Sequence, residues 1–293
     1  MLVINAHEKD LGGFFVRRLL PAARARSISS FVFFDHMGPA QFAPGQGVDV
    51  RPHPHIGLAT VTYLFDGAIV HRDSLGTVQR IEPGDVNWMT AGHGIVHSER
   101  TDPADRVGPD GRGPAMHGLQ IWVALPKSHE QTEPAFTHIG RDRLPLIEAP
   151  GVEMRLIVGE AFGQRAPTPS FSPICYLAVS MAAGARLDWP ADLEERGLYL
   201  VDGELSVGGQ TIAPRQMLAW TATERDARDM VGIEARTGST LVLFGGDRLD
   251  GERLLSWNFV ASSHELIERA RQRWRDGAFP PVPGETGFIP LPD

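Results

Sequence analysis

The chain is poor in cysteine, in net positive charge and in long apolar runs, and each shortage removes a class of protein. A single cysteine, Cys175, stands among 293 residues, which excludes an internal disulfide framework and a zinc–thiolate cluster. Its setting in "PICYLAVSM" reads as a thiol buried in a strand. The formal charge is −8, with 28 basic against 36 acidic side chains. Surfaces that hold nucleic acid or an anionic membrane instead carry clustered Lys and Arg, so small molecules or protein partners suit this chain better. Nowhere do about 18 apolar residues run together, and the opening "MLVINAHEKDLGG" has no basic segment followed by an apolar one. The expectation is a soluble, cytoplasmic monomer with no membrane and no direct nucleic-acid contact.

What is present is β structure. Hydrophobic residues at 42% and charged residues at 22% are globular values, and 293 residues suffice for two domains. Short apolar or alternating runs such as "FVFFDHMG", "ATVTYLFDG", "LQIWVALP", "ICYLAVSM" and "STLVLFGG" recur between Gly, Pro and Asp. Many short strands with frequent turns mean sandwiches or barrels. The main exception is "SSHELIERARQRWRDG", residues 262–277. A serine N-cap, Leu266, Ile267, Ala270 and Trp274 at helical spacing, and a stop at Gly277 predict one amphipathic helix packed on the β body. Its "RARQRWR" reads as a solvated basic face.

In "RPHPHIGLATVTYLFDG", residues 51–67, Pro52 and Pro54 hold Arg51 and His53 extended. Prolines donate no ladder hydrogen bond, so this strand belongs at a sheet edge or a strand end, a rim position. Residues i and i+2 share a strand face, so His53 and His55 project together. "WMTAGHGIVHSERT" offers a second such pair, His97 and Glu99, on what reads as a neighbouring strand returning past the first. Three imidazoles and one carboxylate suit one divalent first-row metal, with iron(II) favoured and manganese, cobalt, nickel, copper or zinc as alternatives. The set is too rich in nitrogen for calcium or magnesium. Four protein ligands on an octahedral ion leave two positions for chemistry or sensing. A lone His-Pro-His commonly sits in a surface turn, and the second pair sets this one apart. His71 and His93 read as histidines at the rim or beside the site that bond a carbonyl, not as ligands. Asp35 and His36 either support the pocket or end a strand, while Phe65, Trp88 and Met89 read as core.

The two halves repeat each other. Tyr63, Gly67, Ile81 and Thr90 find partners in Tyr199, Gly203, Ile212 and Thr221, which implies two copies of one β domain. The Tyr63-to-Tyr199 spacing of 136 residues carries His53 and His55 to Trp189 and Ala191. The Ile81-to-Ile212 spacing of 131 residues carries His97 and Glu99 to Arg228 and Met230. The second copy is therefore expected to lack the ligands. The expected domains are 1–145, holding the metal, and 146–293, a second barrel without metal ligands that carries the helix.

These residues resemble the pirin family of bicupins. The first cupin motif, a glycine, five residues, His-x-His and a later glycine, fits Gly47, His53, His55 and Gly67, and the second fits Gly94 and His97. The family's "HPH", "TVTYL", "PGD", "WMTAG", "WNFVASS" and a final "IPLP" also stand here. Many relatives have "HPHRGFET" where this chain has "HPHIGLAT", with Ile56, Leu58 and Ala59. The usual cupin carboxylate at position 59 is thus absent, and Glu99 must supply the charge. The resemblance implies an all-β fold of two tandem jelly-roll barrels with a short C-terminal helix. It also implies metal ligation by His53, His55, His97 and Glu99.

Two functions follow from the resemblance. One is a quercetin 2,3-dioxygenase-type oxygenase opening a flavonol, or a similar small aromatic substrate, with Glu99 as catalytic base. The other is a metal- or redox-dependent regulator that binds a transcription factor or a metabolic enzyme. One cupin scaffold carries both, so fold does not choose between them.

Overall fold

A computed structural model describes residues 1–10, 14–190, 192–221 and 230–292. The alternating and apolar runs form strands, and the one α-helix among the described residues is His264–Arg275. The chain divides into two compact units. One contains Glu8–Arg17, Phe34–Arg141 and Asp250–Asp293, and the other contains Met1–His7, Arg18–Phe33 and Asp142–Leu249.

The first barrel is a sandwich of two antiparallel sheets. The smaller is ordered Asp49–His55, Ile95–Arg100, Ile69–Asp73, Val78–Ile81. The larger includes Ala135–Ile139, Val86–Thr90, Leu58–Gly67, Ala115–Ala124 and Phe31–Gln41. Leu64 and Met116 from the larger sheet pack with Ile69 and Ile81 from the smaller, closing the interior. The proline-bearing strand Asp49–His55 lies at the sheet edge, where its missing donors cost no ladder bond. It turns back at Gly57, whose φ of +68° and closeness to the Val260 carbonyl leave no room for a Cβ.

The second barrel repeats this wiring, with a small sheet ordered Arg186–Trp189, Val231–Ala235, Leu205–Val207, Gln210–Ile212. Its interior is apolar and includes Leu177, Leu187, Trp189, Leu198, Ile233 and Leu243. Cys175 lies in this core on strand Ile174–Met181, and burial pushes its thiol up to about 12.

The expected single cut between residues 145 and 146 is corrected at both ends of the chain. Strand Leu2–Asn5 pairs with Gln216–Trp220 and extends the large sheet of the second barrel. Asp250–Asp293, including the helix, belongs with the first barrel. Strand alternation supplies the reason. When 53, 55, 97 and 99 point inward, Ile56 and Val96 point outward, and their apolar surface needs cover. Phe259, Ala261, Ile267, Ala270, Phe279 and Val282 provide it, each large side chain contributing about 1.5–3 kcal/mol by burial. Ser263 caps the helix, its Oγ accepting from the Leu266 amide at 3.3 Å, and Gly277 ends it at φ +65°. The basic stripe is largely tied to its own chain: Arg273 donates to the His93 carbonyl at 2.8 Å and lies over Phe279, and Arg269 donates to Gln131. No helix among the described residues is long and apolar enough to cross a membrane.

Candidate metal centre

Antiparallel pairing brings the two sequence motifs together. His53 stands opposite His97 and His55 opposite Ile95, while His97 and Glu99 face Asp73 and His71 on the third strand. One ring nitrogen from each of His53, His55 and His97 lies within 4.8 Å of the others. All three rings are buried, with His53 the most exposed at 7%. The strand is at the sheet edge as expected, yet the pair is buried, since the two side chains point inward and the segment from Asp250 onward covers the outer face of these strands.

The hydrogen bonds decide which nitrogen each ring presents. A carbonyl only accepts, so His53 Nδ1 donates to Arg51 O at 2.9 Å and His55 Nδ1 donates to Asn258 O at 3.0 Å. Their Nε2 lone pairs remain for a ligand. His97 Nε2 is buried without a hydrogen-bond partner, an arrangement that is costly unless something occupies the point it faces. Burial also keeps the rings neutral. It lowers His53 to about 4, opposed by the hydrogen bond to the Arg51 carbonyl. Burial and the neighbouring imidazoles hold His55 and His97 well below the ordinary histidine value. Three neutral, convergent nitrogens with bare lone pairs fit a divalent metal ion.

Glu99 lies outside that nitrogen set. The strand pairing shifts register between His97 and Glu99, and the Glu99 carboxylate accepts from Thr62 Oγ1 at 3.4 Å. Thr62 has a single hydroxyl proton, and its shorter contact, at 2.8 Å, is to Gln120 Oε1. Burial raises the Glu99 carboxyl above its ordinary range, with His71 and Thr62 opposing. The fourth expected ligand is thus buried beside Thr62 and outside the group of three converging nitrogens.

His71 bonds a carboxylate rather than the expected carbonyl: its Nε2 donates to Asp73 Oδ2 at 3.0 Å, and its ring stacks on Phe136 at 4.4 Å. Burial acts to raise Asp73, but His71 and the Thr77 amide outweigh it and hold the carboxyl below its ordinary value. His93 pairs on the surface with Glu133 at 3.1 Å, away from the cluster. His36 sits mid-strand, its Nε2 2.8 Å from His117 Nε2, and Asp35 beside it is buried. Trp88 and Met89 are core and Phe65 is half-buried. Sequence reasoning missed Asp73, Thr62 and Asn258. Of these only Asp73 carries a local signal, since "HRD" sets it at i+2 from His71.

The residue-for-residue match to the second barrel also needs correction. The small sheets pair alike, Trp189 opposite Val231 and Leu187 opposite Ile233. By that register His53, His55, His97 and Glu99 correspond to Leu187, Trp189, Ile233 and Ala235, not to Trp189, Ala191, Arg228 and Met230. The stretch between each ligand pair and the nearest matched residue is longer in the second barrel, so a constant offset drifts. Trp189 is core, Met230 is 65% exposed, and Ala191 and Arg228 lie outside the described residues.

Comparison with known proteins agrees with this geometry. Residues 13–123 match the Pirin family and residues 176–280 match the Pirin C-terminal cupin domain. A pirin-like protein of Caulobacter vibrioides is 44% identical over 296 residues, covering 100% of this chain and 99% of that protein. The crystal structure of quercetin 2,3-dioxygenase from Acinetobacter baumannii matches with a TM-score of 0.88 and 32% identity, covering 100% of this chain and 95% of that one. The bacterial pirin YhhW of Escherichia coli, solved in complex with nickel(II), shares the fold at a TM-score of 0.63 and 17% identity over 85% of this chain and 99% of that one. With two cupin barrels, a histidine cluster in the first, and a full-length relative at this identity, the chain belongs to the pirin family.

Proposed function

We propose that this protein is a metal-dependent oxygenase of the quercetin 2,3-dioxygenase type, which opens the central ring of a flavonol with dioxygen and releases carbon monoxide. The observation that carries the reading is the convergence of three buried, neutral imidazoles, one with an orphaned Nε2. The name of the Acinetobacter baumannii relative supports the substrate class. His53, His55 and His97 would hold one divalent ion, with iron(II) the first expectation. Such an ion supplies Lewis acidity toward a phenolic oxygen and access to dioxygen chemistry.

The remaining work falls to the chain. Hydrogen bonds from His53 to Arg51 and from His55 to Asn258 keep both rings oriented, and Trp122 packs edge-on against His55 at 5.0 Å. Glu99, resting on Thr62, is the one carboxylate of the two ligand motifs free to turn either toward the histidines as a fourth ligand or toward a substrate hydroxyl. As base it takes the flavonol 3-hydroxyl proton onto a carboxylate oxygen. Phe136, stacked on His71 and partly exposed, offers a flat apolar face to an aromatic substrate.

The test is metal analysis together with quercetin-dependent oxygen uptake. Wild type should contain one equivalent of metal and consume oxygen, and His55→Ala should lose both. Glu99→Gln should keep a substantial share of metal, since an amide oxygen still coordinates, yet lose about a hundredfold in ring opening. Full activity in metal-loaded Glu99→Gln eliminates the base role. No uptake by metal-loaded wild type sinks the enzyme reading for this substrate and leaves metal-dependent regulation of a protein partner.

A further inference from the structure

Behind His97 stands a line of side chains that no ligand role absorbs. His71 and Asp73 share the inward face of strand Ile69–Asp73 and are 3% and 0% exposed. Asp73 Oδ1 accepts the amides of Leu75 at 2.9 Å and Thr77 at 3.0 Å. Its Oδ2 accepts from His71 Nε2 at 3.0 Å, and His71 Nδ1 lies 3.3 Å from His97 Nδ1. A carboxylate accepts only, so His71 carries its proton on Nε2. With a single proton on His71, Nδ1 is a lone pair, and the proton between the two rings, 3.3 Å apart, belongs to His97 Nδ1. His97 Nε2, the atom without a partner, is left bare.

We propose that Asp73 and His71 are positioning residues that lock His97 in its Nδ1–H tautomer and so present the third metal-binding lone pair ready-made. The proposal rests on the metal reading above. Asp73 acts through two imidazoles, and such outer partners set ring orientation and ligand basicity in metal sites.

Asp73→Asn discriminates because it changes the hydrogen-bond grammar with little change in shape. The Leu75 and Thr77 amides still demand an acceptor, so the asparagine carbonyl oxygen takes their side and its NH2 turns to His71. His71 Nε2 must then accept, which moves that ring's proton to Nδ1. His97 accepts at Nδ1 and carries its own proton on Nε2, capping the position meant for the metal. His71→Phe is the second variant. It keeps the stack on Phe136 and removes the partner, releasing His97 to populate both tautomers.

Nitrogen-15 NMR of the ring nitrogens in metal-free protein reads the tautomer, and titration with nickel(II) chloride reads the affinity. The expected result is Nδ1–H at His97 in wild type and Nε2–H in Asp73→Asn, with nickel(II) affinity down ten- to a hundredfold. His71→Phe should give mixed tautomers and a smaller loss, and it carries the test if Asp73→Asn does not fold. Wild-type His97 protonated on Nε2, or unchanged nickel(II) affinity in both variants, overturns the relay while leaving the metal reading standing. The opposite pattern, the Nδ1–H tautomer with no nickel(II) uptake by wild type, overturns the metal reading and removes the relay's purpose.

Discussion

In the first barrel the paired strands Asp49–His55 and Ile95–Arg100 turn His53, His55, His97 and Glu99 inward. In the second, Arg186–Trp189 and Val231–Ala235 put Leu187, Trp189, Ile233 and Ala235 in the same register positions. The backbone wiring is the same and the interiors have opposite chemistry. The apolar set packs into one continuous core and gains its stability mainly by burial. The imidazole set removes three polar rings from water, leaves one nitrogen unpaired, and requires outside support from Arg51, Asn258 and the His71–Asp73 pair. The difference teaches that the scaffold alone does not make a candidate metal site; three histidines and their partners do. The second barrel fills the equivalent positions with apolar side chains, and its buried cation, Arg196, lies over Trp189 and Trp220.

The sharpest test of that contrast is Trp189→Ala. Trp189 is 2% exposed and packs edge-on against Trp220 with Arg196 over its ring, so truncation should cost about 3–5 kcal/mol in urea unfolding. Metal content should be unchanged. Loss of metal in this variant would contradict the assignment of the site to the first barrel alone.

Acid should expose the cost of the imidazoles. Burial holds His53 at about 4 in the folded, metal-free protein, against 6.5 in an ordinary setting. The unfolded chain therefore binds the extra proton between those values, and the stability present above pH 6.5 is lost as pH falls toward 4. His53 alone contributes about 3 kcal/mol across that window, and His55 and His97 shift in the same direction. The drop in urea midpoint between neutral pH and pH ~4.5 should shrink in His53→Leu, while a Leu187→Val change in the second barrel should leave it intact. An equal drop in wild type and His53→Leu would refute the account.

His97→Ala should cost more than the ten- to hundredfold in divalent-metal affinity typical of losing an outer partner, because it removes a ligand itself. Retained metal would break the distinction between the barrels. The smallest effect belongs to the helix that covers the first barrel. Ser263→Ala removes the bond to the Leu266 amide and should lower stability by about 1 kcal/mol. A loss within error would mean that the packing of Ile267 and Ala270 alone holds the helix.

What the sequence by itself determined is local. The i, i+2 spacing places His53 with His55 and His97 with Glu99 on common faces because a strand repeats every two residues, whatever surrounds it. Pro52, Pro54, Ser263 and Gly277 punctuate the chain through their own dihedrals and hydrogen bonds. Those signals carried the all-β fold, the helix limits and the three histidines. Only the tertiary structure decided the rest, because each remaining feature joins residues that share no local period. Packing of strand Leu58–Gly67 against Ile95–Arg100 brings Thr62 to Glu99 from 37 residues away. Pairing of non-adjacent strands aligns Asp73, His71 and His97, and the Asn258 carbonyl arrives at His55 from 203 residues away. Leu2–Asn5 completes a sheet of the second barrel, and the segment from Asp250 onward covers the first. In both, apolar surface and unpaired strand edges are satisfied by whichever segment reaches them, and sequence order does not say which.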